Sequence, residues 1–330
     1  MKSFEYAAPR TEAEALEVMS AEPGRTEILA GGTDLIGLLK KMVLTPDRVV
    51  NIMGIPSLRQ IERLPDGGVS IGAAVTLDEL LDSRVLDDYP AIEQAIRGIN
   101  SSQLQCQGTI GGEICQRPQC WFFRDGHGLL ARGGAAVEAG DNRYHAIFGN
   151  QGAAKFVSSS RLAPALVALN GWVRLLGPAG ENESLLPIDQ LFRVPRHEGQ
   201  RETVLAPNQL LTHIVLPAGT GRFSATYEVR QGAGPEFPLA AAAATLAIEG
   251  GVIRDARVVL GQVAPTPWQS PEAAALVIGR TMDADLAEAA GAAAVAGAAP
   301  LSQNEYKVQL AKVAVKRALL LAAGLHTGGF

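Results

Sequence analysis

The chain is short of most residues that announce a chemistry by themselves. Among 330 residues there are three cysteines, at 106, 115 and 120. An odd count makes no disulfide framework, and it excludes a four-thiolate iron cluster held within this chain. The five histidines, at 127, 145, 197, 213 and 326, have no paired spacing for zinc. Aromatic residues make up 5%, too few for a base-stacking platform. Lys and Arg number 29 against 34 Asp and Glu, a net charge of −5 with no basic run, which argues against a nucleic-acid partner. The most apolar stretches, 239–248 and 287–301, are alanine-rich and too short or too weakly apolar to span a bilayer. Residues 1–6 contain no apolar signal core, so the expected location is the cytoplasm, unless a partner's signal carries the chain to the periplasm.

What is present is core-forming material: 47% hydrophobic against 19% charged residues, enough for two or three packed units. The first stretch reads helix, strand, helix, strand. A capping-box start lies at Thr11–Glu14, a strand at 26–30, an apolar helical spacing at 35–42 and a second strand at 48–52. This is a small βαβ unit, with Gly31-Gly32-Thr33-Asp34 between strand and helix. A second block begins near 57, with a strand at 68–75, a capped helix from Thr76, a helix at 91–99 and a second glycine turn, Gly108-Thr109-Ile110-Gly111-Gly112-Glu113. Residues 117–155 read as a long irregular loop, and strands are expected at 167–176 and 210–216. From 222 the pattern is strand, Gly250-Gly251 turn and strand, then helices at 271–277, 284–299 and 305–323, the last with Lys307, Lys312, Lys316 and Arg317 opposite its apolar face.

Chemistry is hard to find in the side chains. There is no G-x-S-x-G, no G-x-G-x-x-G and no P-loop. Ser158-Ser159-Ser160 reads as a polar turn, and His145 as a loop histidine with a structural hydrogen bond. No catalytic or metal-ligating residue is expected. Two glycine turns, each with a threonine close by, do offer backbone N–H groups to phosphate, and two such turns could hold both phosphates of a dinucleotide. A single glycine pair more often just makes a turn, but two in one chain favour a protein that holds a reactive cofactor.

The segments Leu29-Ala30-Gly31-Gly32-Thr33-Asp34-Leu35, Gly108-Thr109-Ile110-Gly111-Gly112, and the run from Cys115 to Arg124 occur here together. With the 141–150 stretch and Val263-Ala264-Pro265-Thr266-Pro267-Trp268, they make the chain resemble the FAD-binding medium subunit of the xanthine dehydrogenase family of molybdenum hydroxylases. The look is closest to the medium subunits of bacterial aldehyde oxidoreductases. The resemblance implies an α+β protein: a two-lobed FAD-binding domain of the vanillyl-alcohol-oxidase type (lobes 1–56 and 57–218), followed by a smaller α+β domain at 222–330. It implies non-covalent FAD held by Ala30, Gly31, Gly32, Thr33, Asp34, Leu35, Thr109, Gly111, Gly112 and Leu211. It also implies a large molybdenum-cofactor subunit and a small [2Fe–2S] subunit as partners. Electrons would then pass from the clusters through FAD to an external acceptor while a partner chain oxidises an aldehyde or N-heterocycle.

Four positions depart from the family pattern. Gln105-Cys106 stand where Arg-Asn is usual, Glu113 where Asn is usual, and Ser159-Ser160-Arg161 where an aspartate commonly precedes Leu162-Ala163-Pro164. A carboxylate at 113 would repel a diphosphate by up to about 4 kcal/mol at ~4 Å. Arg161 could offset it by pairing with Glu113 or with phosphate. The related branch carries a [4Fe–4S] cluster on an inserted loop. Here Cys120 remains, but 128–130, 135–136 and 153–154 lack the other thiolates, so no such cluster is expected. These departures keep a second reading open, a scaffold subunit that no longer binds FAD. A third reading, a self-sufficient flavin oxidase, lacks an attachment motif and an evident base.

Overall fold

The computed structural model describes residues 1–177 and 183–327. Its first unit contains β1 (Glu5–Ala7), α1 (Glu12–Glu17), β2 (Thr26–Leu29), α2 (Leu35–Lys40) and β3 (Arg48–Asn51). The strands form a parallel sheet in the order β1-β3-β2. Strand β1 was not expected, because three residues with Tyr6 exposed carry no readable alternation. Thr11 caps α1 as expected, but the Glu14 carboxylate turns to the Arg10 N–H, so the box is only half formed.

The second unit runs through β4 (Ile61–Arg63), β5 (Val69–Gly72), α3 (Leu77–Asp82), α4 (Pro90–Gly98), α5 (Ser102–Gln107) and α6 (Ile110–Ile114). After these come α7 (Trp121–Arg124), α8 (Ala135–Ala139), α9 (Ala163–Ala168), β6 (Trp172–Leu176), β7 (Ser184–Pro187), α10 (Ile188–Leu191) and β8 (Leu210–Leu216). The sheet is antiparallel, in the order β4-β5-β8-β6-β7. Its core joins Ile71, Val173 and Ile214 of the sheet to Ile92, Ile96 and Leu166 of α4 and α9. Two expectations need correction. The strand expected at 167–176 begins only at Trp172, because Val167 and Ala168 close helix α9: the Ser160 hydroxyl accepts the Ala163 N–H at 3.0 Å, Pro164 occupies the first turn, and Asn170 at φ 59° ends it. The second glycine turn is likewise the first turn of α6, capped by Thr109.

The third unit holds β9 (Arg222–Val229), β10 (Ala240–Glu249), β11 (Val252–Gly261), β12 (Trp268–Gln269), α11 (Pro271–Val277), α12 (Ala284–Val295) and α13 (Tyr306–Ala322). Its antiparallel sheet, β12-β11-β10-β9, has α11–α13 on one side and α4 and α9 of the second unit on the other. Helices on both faces explain the alanine run in β10, which is buried from Ala240 to Leu246. A β-carbon on Gly261 would lie 2.6 Å from Pro164, so the two units meet without room for a methyl group.

Lys307 does not lie opposite the apolar face of α13. It is 1% exposed, and its Nζ donates to the carbonyls of Gln262 at 2.7 Å, His145 at 3.1 Å and Tyr144 at 3.2 Å. It thereby ties the 117–155 loop to the third unit, beside Asn304, whose amide also reaches His145 O and Ala146 O. Lys307→Met would remove this donor from three carbonyls, the buried one of Gln262 among them. A loss of about 3 kcal/mol or more is expected, read as a lower urea midpoint; an unchanged midpoint would contradict this role.

Candidate functional site

The two glycine segments meet directly. A β-carbon on Gly31 would sit 1.6 Å from the Gln107 carbonyl oxygen, so only glycine allows the backbone of the β2–α2 turn to rest on the α5–α6 junction. Gly32 takes a left-handed φ of 72° to swing the chain into α2. On the other side, the Leu77 N–H reaches Gly108 O at 2.9 Å, and the Ile110 and Gly111 N–H groups reach Val75 O and Ala73 O at 3.0 and 2.9 Å. This zips the second segment to residues 73–77. Gly111 is required here by packing, since a β-carbon would lie 2.7 Å from that of Ala73.

Between the segments lies a cavity of about 620 Å³, within the range of cofactor clefts. All ten residues singled out from sequence line it: Ala30, Gly31, Gly32, Thr33, Asp34, Leu35, Thr109, Gly111, Gly112 and Leu211. Among the described residues, the N–H groups of residues 31–35 have no protein acceptor. The cradle therefore presents unpaired main-chain donors where an anion would rest, and Ile28, Leu38, Ile52 and Leu210 supply an apolar wall. These features fit a large cofactor with phosphate groups.

The acidic side chains around this cavity have partners within the protein. Asp34 pairs with Arg124 at 2.7 Å and accepts the Arg117 N–H at 2.9 Å, so it presents no bare carboxylate. Arg117, itself buried, pairs with Glu202 at 2.6 Å and lies 5.0 Å over the Phe123 ring. Arg201 reaches Glu27 of β2 at 3.5 Å. Arg117, Arg193 and Arg201 all line the cavity, yet none was picked out as a binding residue from sequence. Residues 193–209 carry no periodicity and no glycine motif, so no local signal marked them. The segment is also fastened to the long loop, where Glu198 accepts the Leu129 and Leu130 N–H groups at 2.8 and 3.0 Å.

The departing residues have structural partners. Glu113 is turned away from the cavity and buried, accepting the Arg161 N–H at 2.6 Å. The expected ion pair between the Arg161 guanidinium and Glu113 does not form, because the guanidinium is gripped by Glu228. Burial pushes the Glu113 carboxyl up to about 7. Gln105 caps α4 by donating to Ile99 O at 2.9 Å and Ile96 O at 3.3 Å, while Cys106 is exposed.

Among the described residues, Cys115 is the one thiol that lines the cavity. Burial pushes the Cys115 thiol up to about 11, which keeps it protonated. Cys120 lies 3.1 Å from His145 Nε2, and burial raises the thiol and pushes the imidazole down to about 4, so the pair is neutral. Among the described residues, no three His, Cys, Asp or Glu side chains converge as a metal site.

Comparison with known proteins decides the family. Residues 2–219 match the FAD-binding domain of molybdopterin dehydrogenases, and residues 225–322 match the C-terminal domain of the carbon monoxide dehydrogenase flavoprotein. This chain belongs to that family of FAD-binding subunits. It is 33% identical over 322 residues to the aldehyde oxidoreductase FAD-binding subunit PaoB of Escherichia coli K12, covering 94% of this chain and 96% of that one. It is 26% identical to the carbon monoxide dehydrogenase medium chain of Hydrogenophaga pseudoflava, over 96% of each chain. A solved structure of carbon monoxide dehydrogenase from the same organism superposes with a TM-score of 0.75, at 26% identity over 97% of each chain. The family resemblance read from the glycine motifs is thereby shown, and the scaffold reading is not favoured.

Burial of Glu113 links stability to pH. Its folded pKa of about 7 lies above the ordinary 4.5. Its contribution is therefore fully present below about pH 4.5 and is lost as pH rises through about 7, a swing of roughly 3 kcal/mol. In Glu113→Gln that swing should be missing from the difference between denaturation curves at pH 5 and pH 8; identical pH dependence in both proteins would refute the assignment.

Proposed function

We propose that this chain is the electron-transfer subunit of a molybdenum hydroxylase. In this reading it binds FAD non-covalently, receives electrons from a small [2Fe–2S] subunit and passes them to an external acceptor. A large molybdenum-cofactor subunit oxidises an aldehyde or N-heterocycle. One observation carries the reading: the main-chain donors of residues 31–35 and the α6 wall border one cofactor-sized cavity. When bound, FAD supplies the redox chemistry. The protein's part is to fix it. Gly31-Gly32-Thr33 would approach the diphosphate with main-chain N–H groups, Thr109–Gly112 would form the facing wall, and Leu211 would pack against the cofactor from β8. The absence of an uncompensated carboxylate from Asp34 and Glu113 supports this placement.

The same reading divides the chain into FAD lobes at 1–56 and 57–218, of the vanillyl-alcohol-oxidase type, and a C-terminal domain at 222–330. It is supported by one sheet falling within each segment. Among the described residues no helix is long and apolar enough to cross a membrane, and the proposed compartment is the cytoplasm.

The test is reconstitution. The purified chain, incubated with FAD and desalted, should retain flavin absorbance in the visible, and acid should release the flavin intact. Gly31→Ala, which forces the two glycine segments apart, should retain none. Failure of the wild-type chain to take up FAD would overturn the reading, as would turnover of an aldehyde by this chain alone.

A further inference from the structure

Resting on the FAD reading above, we propose that the C-terminal domain positions the α6 wall of the cavity through a buried clasp, Glu113–Arg161–Glu228. Glu228, outside the cavity, then acts as a positioning residue for FAD.

The clasp begins one residue past Gly112, which lines the cavity. Glu113 turns to the opposite side of α6, where its carboxylate accepts the Arg161 N–H at 2.6 Å with support from the Leu162 N–H. The Arg161 side chain is 3% exposed. Glu228 of β9 grips it in a two-pronged pair, with Nε to Oε1 at 2.8 Å and Nη2 to Oε2. The same Nη2 bonds Gly98 O at the end of α4, and Arg230 of the third unit donates to that carbonyl at 2.8 Å. Gly98 makes room for the pair, since a β-carbon there would lie 2.5 Å from Glu228 Oε2.

A second attachment holds the same segment. Gln262 donates to Ser159 O and Ser160 O at 3.2 and 3.3 Å, and its own carbonyl is held by Lys307. Residues 158–161 do not line the cavity. They are fixed by the C-terminal domain from two directions and reach the cavity wall through Glu113. Helix α6 has only five residues, and Glu113 adds a lateral anchor to the hydrogen bonds that tie Ile110 and Gly111 to residues 73–75. Bidentate buried pairs hold geometry tightly, and a small displacement of a cavity wall is costly to binding.

The experiment is FAD titration of the full-length chain by flavin fluorescence quenching, with thermal unfolding of the FAD-free protein alongside. Glu113→Ala and Glu228→Gln should each weaken FAD by about tenfold and alter the visible circular dichroism of bound flavin. The double variant should lose clearly less than the product, because both changes release one clasp. Glu113→Gln, which keeps an acceptor for the Arg161 N–H, should restore affinity to within about threefold of wild type. Gly98→Ala leaves every charge in place and crowds the pair, so it reports the same coupling should Glu228→Gln not fold. Wild-type binding with Glu228→Gln and Gly98→Ala both within about twofold would overturn the clasp while leaving the FAD reading intact. A wild-type chain that takes up no FAD would overturn both.

Discussion

The Gln107 carbonyl oxygen rests on the α-carbon of Gly31 with no space for a side chain, and the cavity depends on that contact. Residue 31 opens the turn after β2, and residue 107 ends α5, so the contact joins the unit of the parallel sheet to that of the antiparallel sheet. Hydrogen bonds to residues 73–77 hold the second segment from behind. With one face of each loop spent on the other and on the sheet, the N–H groups of residues 31–35 are left facing the cavity. Backbone donors need no side-chain ordering when a ligand arrives, so their entropy cost is met in folding.

Charge placement follows from the same constraint. A site built of unpaired N–H groups favours an anion, and a nearby bare carboxylate would cancel much of that preference. Asp34 is neutralised by Arg124, Glu202 by Arg117, and Glu27 by Arg201. Glu113 is removed from the cavity altogether and given a main-chain donor. The acidic residues around the cavity are thus paired or given main-chain donors within the protein.

The parts legible in sequence were those with local signals. Gly31-Gly32 between a strand and an apolar helix, Thr109 before Gly111-Gly112, and the β10–β11 hairpin around Gly250-Gly251 all act over a few residues, and each lies where its pattern put it. The misplaced features depend on distant partners. Lys307 looked like a solvated lysine on α13 because its acceptors, Tyr144, His145 and Gln262, are 45 or more residues away in sequence. Arg161 faced two nearby candidates, and its actual partner, Glu228, comes from another unit. Apolar content alone starts the strand of 167–176 too early, and the Ser160 contact and the turn at Asn170 mark 163–168 as helix.

These long-range contacts explain how so long an irregular loop is held in place. Residues 117–155 lack the repeating hydrogen bonds of a sheet, so their order must come from packing and from buried polar groups. Phe123, Leu129, Leu130, Ala154 and Phe156 pack with Leu38 of α2, beneath the first glycine turn. Asn142, Asn150, Asn304 and Lys307 bind the other part of the loop to the third unit. The loop is therefore pinned to the two bodies whose separation matters most, the cavity's first wall and the C-terminal domain. Breaking either set of contacts would cost burial or strand polar groups. The Gly261–Pro164 contact adds a third constraint, since it leaves no methyl-sized gap between the second and third units. A subunit whose task is to hold a redox cofactor at fixed distances needs that distribution of rigidity.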